Sequence, residues 1–343
     1  MSENKRQTEL DILRLLATLA VIMIHGGLNP LTDNLMIKYM YRGMHAAIVW
    51  CVPVFFMISG RFFLDPERNV SAKKILTVYL PHIIVPFLVW SGVYTAYGLI
   101  SGSYSHLSTF GVIAEFIHGP YHLWFLYSLA GLYLLTPILR KAAADGKTLA
   151  YFLIMFAAVN VVTQYLIYVP KIGGMISDFI ERTGLRAVTG YMGYFMLGYF
   201  LYSKKDNMSK KTETAIYVIG ILMLIATIAA ECFISEELRK TDFVKQYMKP
   251  NVILYSAAIY TFFVMKMSKI YYSERTRKVF AVFTECGFGV YCIHAILNEF
   301  VPTPVIKSLP FITSLLRVAC LYALSLALTW LIRKIPFVGK KIT

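Results

Sequence analysis

Apolar stretches long enough to cross a bilayer recur about ten times along these 343 residues, and nothing else constrains the chain so strongly. A membrane-spanning helix needs roughly 20 consecutive, mainly apolar residues. Stretches of that kind occupy about 10–29, 42–64, 75–100, 122–139, 149–168, 187–203, 213–233, 250–268, 281–300 and 311–333. Lipid offers the backbone no hydrogen-bond partners, so each stretch is expected as a helix. The expected fold class is therefore all-α: a polytopic membrane protein of about ten transmembrane helices, with residues 1–343 as a single transmembrane domain. Composition enters only to exclude. With 57% hydrophobic and 15% charged residues, the chain is no disordered, collagenous or small disulfide-bonded protein, and a soluble α/β enzyme is nearly excluded.

The net charge of +15 could suggest nucleic acid. Its placement points to topology instead, because Lys and Arg collect in cytoplasmic loops of membrane proteins. With a cytoplasmic N-terminus, 22 of the 34 Lys and Arg fall on the cytoplasmic side and 10 outside, leaving Arg14 and Arg317 within spans. The cytoplasmic set runs from Lys5 and Arg6 through Arg68, Lys147 and Lys278 to Lys340 and Lys341; the outer set includes Lys38, Arg186, Arg239, Lys240 and Lys307. The segment 101–121 has no Lys or Arg, as an external loop would. The ninth stretch is interrupted by Glu285, His294 and Glu299, yet dropping it would carry the basic C-terminus outside. Both termini are expected in the cytoplasm, and no nucleic-acid partner is expected.

Charges at depth in a bilayer are costly and tend to mark function. The first stretch holds Asp11, Arg14 and His25. This also argues against a cleaved signal peptide, whose apolar region is shorter and uncharged. Arg14 and His25, eleven positions apart, fall on one face of a helix about 16 Å apart along its axis. Asp11 is one turn from Arg14, within pairing reach. Interfacial snorkelling of both ends is the alternative reading. In the second stretch, Pro53 and Ser59-Gly60 suit helix packing or ligand approach. Ser59 is in no G-x-S-x-G elbow. Lys73 and Lys74 could grip phosphates or simply fix topology. Tyr121 and Trp124 could form an interfacial aromatic belt.

Several patterns carry little. Glu115, His118 and His122 have a metal-ligand look, but Gly119-Pro120 breaks the helix between the histidines and no metal is expected. Gly287-Phe288-Gly289 lacks the third glycine and the preceding strand of a dinucleotide loop. The five cysteines form no C-x-x-C pair, which argues against a disulfide framework or zinc ribbon.

Four segments together resemble the acyltransferase-3 family of bacterial membrane acyltransferases. They are Arg14-x10-His25 behind Asp11, Phe55-Phe56-Met57-Ile58-Ser59-Gly60, His122-Leu123-Trp124-Phe125-Leu126, and Tyr291-x-x-His294, in order along nearly the whole chain. The flavour is that of the compact ten-helix type that O-acetylates cell-surface glycans such as enterobacterial common antigen. The chain departs from the family in carrying Arg61 after Ser-Gly and fewer arginines between Arg68 and Lys74.

The resemblance implies a multi-pass enzyme of the bacterial inner membrane that moves an acyl group, acetyl foremost, from cytoplasmic acyl-CoA to a hydroxyl of a cell-envelope glycan. His25, Arg14 and Asp11 are then the expected catalytic group. Lys73, Lys74 and Arg61 are expected at acetyl-CoA, and Ser59, His122, Trp124 and His294 at substrate. Histidine could act as general base or as covalent acyl carrier. The partners implied are the acyl-CoA donor, the envelope acceptor and the lipid bilayer. The rival reading is a transporter or exporter of a polysaccharide or small polar solute, a class that includes the membrane half of serine racemase-type proteins. A third is a membrane module that anchors something else.

Overall fold

The computed structural model describes residues 7–27, 34–234, 244–302 and 310–343. Lys5, Arg6, Arg239, Lys240 and Lys307 of the charge count lie outside the described residues, as does the side chain of Arg186. Every regular element among the described residues is helical. In chain order they are α1 (Thr8–Gly26), α2 (Leu35–Ile48), α3 (Cys51–Phe63), α4 (Pro81–Ile100), α5 (Thr109–His118), α6 (Trp124–Ala144) and α7 (Gly146–Gln164). Then follow α8 (Gly173–Arg182), α9 (Tyr191–Lys204), α10 (Lys210–Phe233), α11 (Pro250–Met265), α12 (Glu274–Phe300), α13 (Pro310–Arg333) and α14 (Gly339–Ile342). Short polar side chains start several of them. Asn34, Ser108, Asp145, Ser209 and Ser273 each accept a hydrogen bond from a first-turn backbone N–H.

Among the described residues, eight helical runs are long and apolar enough to cross a membrane. They match eight of the ten expected spans, including the interrupted ninth, where α12 runs unbroken. The other two are α1 and α9. Three charges in α1, Glu9, Asp11 and Arg14, lower its apolar character, and α9 has only 14 residues. Both are packed inside the bundle, with Leu10, Leu13, Ala17, Phe195 and Met196 fully buried. A helix shielded from lipid by other helices has no need of a uniformly apolar surface. Peripheral α10 is the opposite, exposing Val218, Ile221, Leu222 and Ile225.

One expected span is divided. The stretch at 42–64 is the end of α2, a turn at Val49 and Trp50, and α3. Pro53 lies in the first turn of α3, where its missing N–H costs nothing, so the break precedes the proline. The third span opens with a π-helical turn at Ile75–Tyr79 and is extended backward by a turn at Ala72–Lys74.

The centre of the bundle is the crossing of α3 and α9. A Cβ on Gly60 would sit 1.8 Å from the Phe195 carbonyl oxygen, and one on Gly198 would sit 2.1 Å from that of Met57. Two glycines thus let the backbones touch, as the Ser-Gly step suggested. On the other side α1 packs against α3, α12 and α13. Arg317 of α13 accounts for the second charge within a span. Its guanidinium donates to the carbonyls of Gly26, Asn298 and Val301, capping the C-terminal ends of α1 and α12.

Candidate active site

Helical geometry places Arg14 and His25 on one face of α1, and both line one cavity of about 280 Å³. Thr18, Val21 and Ile22 continue the α1 wall between them. Ser59 and Phe55 of α3 and Trp124 and Phe125 of α6 form the facing wall, with Tyr291 of α12. Apart from its two ends the chamber is lined mainly by apolar and aromatic groups, suited to an apolar chain and to excluding water.

At the far end three histidines from three helical segments meet. Nδ1 of His25 lies 2.8 Å from Nε2 of His294, the two rings meeting edge to edge and nearly coplanar, with centroids 5.1 Å apart and planes 10° apart. Nδ1 of His294 is 2.6 Å from the carbonyl oxygen of Tyr291. His122 stands edge-on to His294 at 5.2 Å and 76°. Both of its ring nitrogens are buried without a protein partner. The Tyr291 hydroxyl donates to the His122 carbonyl, which ties the start of α6 to α12.

At the near end Arg14 donates to Asp11 at 3.0 Å and lies over the Phe62 ring at 5.0 Å. Asp11 is almost fully buried, so this pair is far less screened than a surface one. Arg14 and Ser59 also line a second, larger and more polar cavity of about 760 Å³ that includes Arg61, Arg68, Lys74 and Tyr79. The two cavities therefore meet at Arg14 and Ser59.

Arg61 bonds Asp65 at 2.6 Å and stacks over Tyr202 at 3.5 Å, yet its Nε is buried without a partner. Burial, then the neighbouring Arg61, pulls Arg68 below the ordinary guanidinium range. Cations crowded in this way favour an incoming anion. Arg140 holds the wall in place, donating to the carbonyls of Phe63, Asp65 and Arg68 at 2.6, 2.8 and 2.9 Å.

A third cavity of about 320 Å³ is lined by His45, Gln164, Lys245, Gln246 and Tyr191. Tyr247 lines this cavity and the central one. Trp124, Tyr191 and Tyr247 form a cluster at the boundary, with Trp124 5.1 Å from Tyr191 and 5.9 Å from Tyr247.

The structure brings Arg14, His25, Ser59, His122 and Trp124 together on the central cavity, and Arg61 and Lys74 on the polar one. Three expected site residues fall elsewhere. Asp11 is buried and paired with Arg14, on neither cavity wall. Lys73 is exposed and off both walls, because its turn aims only Lys74 inward. His294 is fully buried behind His25 and is not on the cavity wall. Of the two residues expected in an interfacial belt, Trp124 belongs to the interior cluster and Tyr121 is exposed. Arg14 is held by buried Asp11 and lines both cavities, which corrects simple snorkelling. Among the described residues no group of three His, Cys, Asp or Glu side chains is arranged to hold a metal.

A family model described as an acyltransferase domain matches residues 7–334, nearly the whole chain. The chain belongs to the acyltransferase-3 family. Searches of curated proteins and of solved structures returned no match. In this membrane acyltransferase the polar and central cavities share Arg14 and Ser59, and the central and third cavities share Tyr247. Sequence reasoning missed Tyr247, Tyr191, Arg140 and Arg317 as site or supporting residues. Arg317 left a signal, a lone arginine in an apolar span. The tyrosines left none, being two among 24.

Proposed function

We propose that this acyltransferase takes an acyl group, acetyl foremost, from cytoplasmic acyl-CoA and passes it to a hydroxyl of a cell-envelope glycan. The observation that carries the reading is the shared wall of the two cavities: Arg14 and Ser59 line both, so a donor held at the polar end can extend to His25. Arg61, Arg68 and Lys74 are the groups for the CoA phosphates, and the unpartnered Nε of Arg61 is a donor already available. The excess of basic residues supports a cytoplasmic position for this end and for both termini, and the family resemblance implies a bacterial inner membrane.

The acceptor enters from the opposite face by the third cavity, whose amide and aromatic groups suit a hydroxyl-rich ligand. Lys245 there is paired with buried Glu231 at 3.3 Å, so the cavity does not single out anions. At the junction the hydroxyl oxygen attacks the thioester carbonyl while His25 takes its proton. The C–O bond forms, the C–S bond breaks, and the CoA thiolate leaves and recovers a proton from His25. His122, with two unpartnered ring nitrogens, is in position to hold substrate. Asp11 keeps Arg14 oriented at the passage.

The test is a membrane-vesicle assay with radiolabelled acetyl-CoA. Label is expected in a membrane glycan with the wild-type protein and not with His25→Ala. Flux of a solute with no acylated product would overturn the reading in favour of a transporter.

A further inference from the structure

We infer that His294 is a positioning residue that selects the tautomer of His25, with the Tyr291 carbonyl as the fixed end of the relay. This rests on the proposed role of His25 as the base. A carbonyl oxygen accepts and never donates, so Nδ1 of His294, 2.6 Å from the Tyr291 oxygen, carries a hydrogen. In a neutral imidazole the other nitrogen is then an acceptor. Nε2 of His294 therefore accepts, and its partner at 2.8 Å, Nδ1 of His25, donates. His25 is left with a bare Nε2, the lone pair that general-base catalysis needs. A neutral imidazole free in water favours the reverse form, with its hydrogen on Nε2. The relay thus selects the reactive tautomer that the ring alone disfavours.

The surroundings make His294 suited to this work. It is fully buried, nearly coplanar with His25 and edge-on to His122, so its ring has little freedom. The turn of α12 that carries it is clamped by Tyr94. The Tyr94 hydroxyl donates to the Cys292 carbonyl at 2.9 Å and accepts from the Ile296 N–H at 2.8 Å, bridging those two groups one turn apart. Asn298 and Arg317 fix the other partner, one donating to the His25 carbonyl and the other capping Gly26. Both rings are held from the backbone side, and the hydrogen between them has one stable position.

In the reaction the acceptor hydroxyl proton moves to Nε2 of His25, and the positive charge is delocalised over a ring whose Nδ1–H already faces an acceptor. His294 never touches substrate. It contributes by orientation; loss of the partner that orients a metal-bound histidine typically costs about 10–100-fold, and a loss on that scale is expected here.

The experiment uses the full-length protein with 15N-labelled histidine in lipid nanodiscs, His25 being assigned by its absence in His25→Ala. The expected spectrum has hydrogen on Nδ1 of His25 and none on Nε2. In the acetyl-CoA assay, folded His294→Leu is expected to lose about 10–100-fold in kcat, with the KM for acetyl-CoA within about twofold. His294→Gln, whose amide oxygen can accept from Nδ1 of His25, is expected to restore most of the loss. A wild-type His25 carrying its hydrogen on Nε2 would overturn the relay. So would a folded His294→Leu with wild-type kcat. If His294→Leu does not fold, the wild-type spectrum and the His294→Gln rate decide. An active His25→Ala would instead bring down the base itself, whereas an inactive His25→Ala beside a fully active His294→Leu would remove only the relay.

Discussion

Helices α1 and α10 are both long, and they solve opposite problems. Helix α10 turns Val218, Ile221, Leu222 and Ile225 outward, and these are exposed apolar groups suited to lipid. Helix α1 buries Leu10, Leu13 and Ala17 against its neighbours and spends its remaining face on Arg14, Thr18 and His25 along a cavity. By composition α1 is the poorer membrane helix, since it carries Glu9, Asp11 and Arg14. The lesson is that apolar character reports contact with lipid, and a helix enclosed by others is free to carry chemistry. The same logic explains α9, too short for an independent span yet central to the packing.

The comparison breaks most sharply at His25. His25→Ala should reduce acyl transfer by about 10²–10⁴-fold in a protein that still inserts. His25→Asn should be no better, because an amide cannot take up a proton at neutral pH. Leu222→Ala in α10 should leave the rate within about twofold, as a surface change away from buried features. Label transfer in membranes measures all three, and an α10 variant as damaging as the α1 variants would undo the distinction.

Arg14 comes next. Arg14→Ala should take the charged partner from buried Asp11 and open the passage, lowering turnover and destabilising α1, since a buried carboxylate that loses an ion pair costs stability. Arg14→Lys keeps the charge and loses the planar five-donor fork, so partial activity is expected. Equal loss in both variants, at equal thermal stability in detergent, would show that charge has no part in the role.

Packing tests the same contrast without touching the chemistry. Gly60→Ala places a methyl against the Phe195 carbonyl and should cost at least about 1–3 kcal/mol, seen as a lower unfolding temperature and poorer yield. Gly131→Ala in α6, where an added Cβ meets nothing within 4 Å, should be neutral.

The smallest effect is the most discriminating for the donor end. Lys74→Ala should raise the KM for acetyl-CoA by a few-fold at low salt, because a half-exposed ion pair is worth up to about 1 kcal/mol. Lys73→Ala should leave it unchanged. The Lys74 effect should fade as salt rises, screening reaching about 10 Å at 0.1 M. If the two lysines prove interchangeable, the polar cavity is not the donor site.

Much of this was legible in the residues. The spans were, because hydropathy over 20 residues is a local property. The face shared by Arg14 and His25 was, because helical geometry alone sets it. The close approach at Ser59-Gly60 was suggested by small side chains. Other features were not legible. A break at Val49 and Trp50 within an apolar run has no compositional mark, since turn residues inside a protein bundle stay apolar when other helices cover them. Which of two adjacent lysines faces a cavity depends on the phase of a short turn.

By itself, then, the sequence determined an all-helical membrane chain of the acyltransferase-3 family with an arginine and a histidine on one face of its first helix. These follow from periodicity, hydropathy and short motifs, which act over a few turns. Tertiary structure alone decided that His25 meets His294, a partner 269 positions away, and that Arg14 lines both the central and the polar cavity. It alone brought Tyr247 beside Trp124 and set Arg317 over the end of α1. Such contacts depend on how helices cross and how deep each sits, and those are fixed by packing between segments far apart in the chain. The periodicity of any one segment is silent about them.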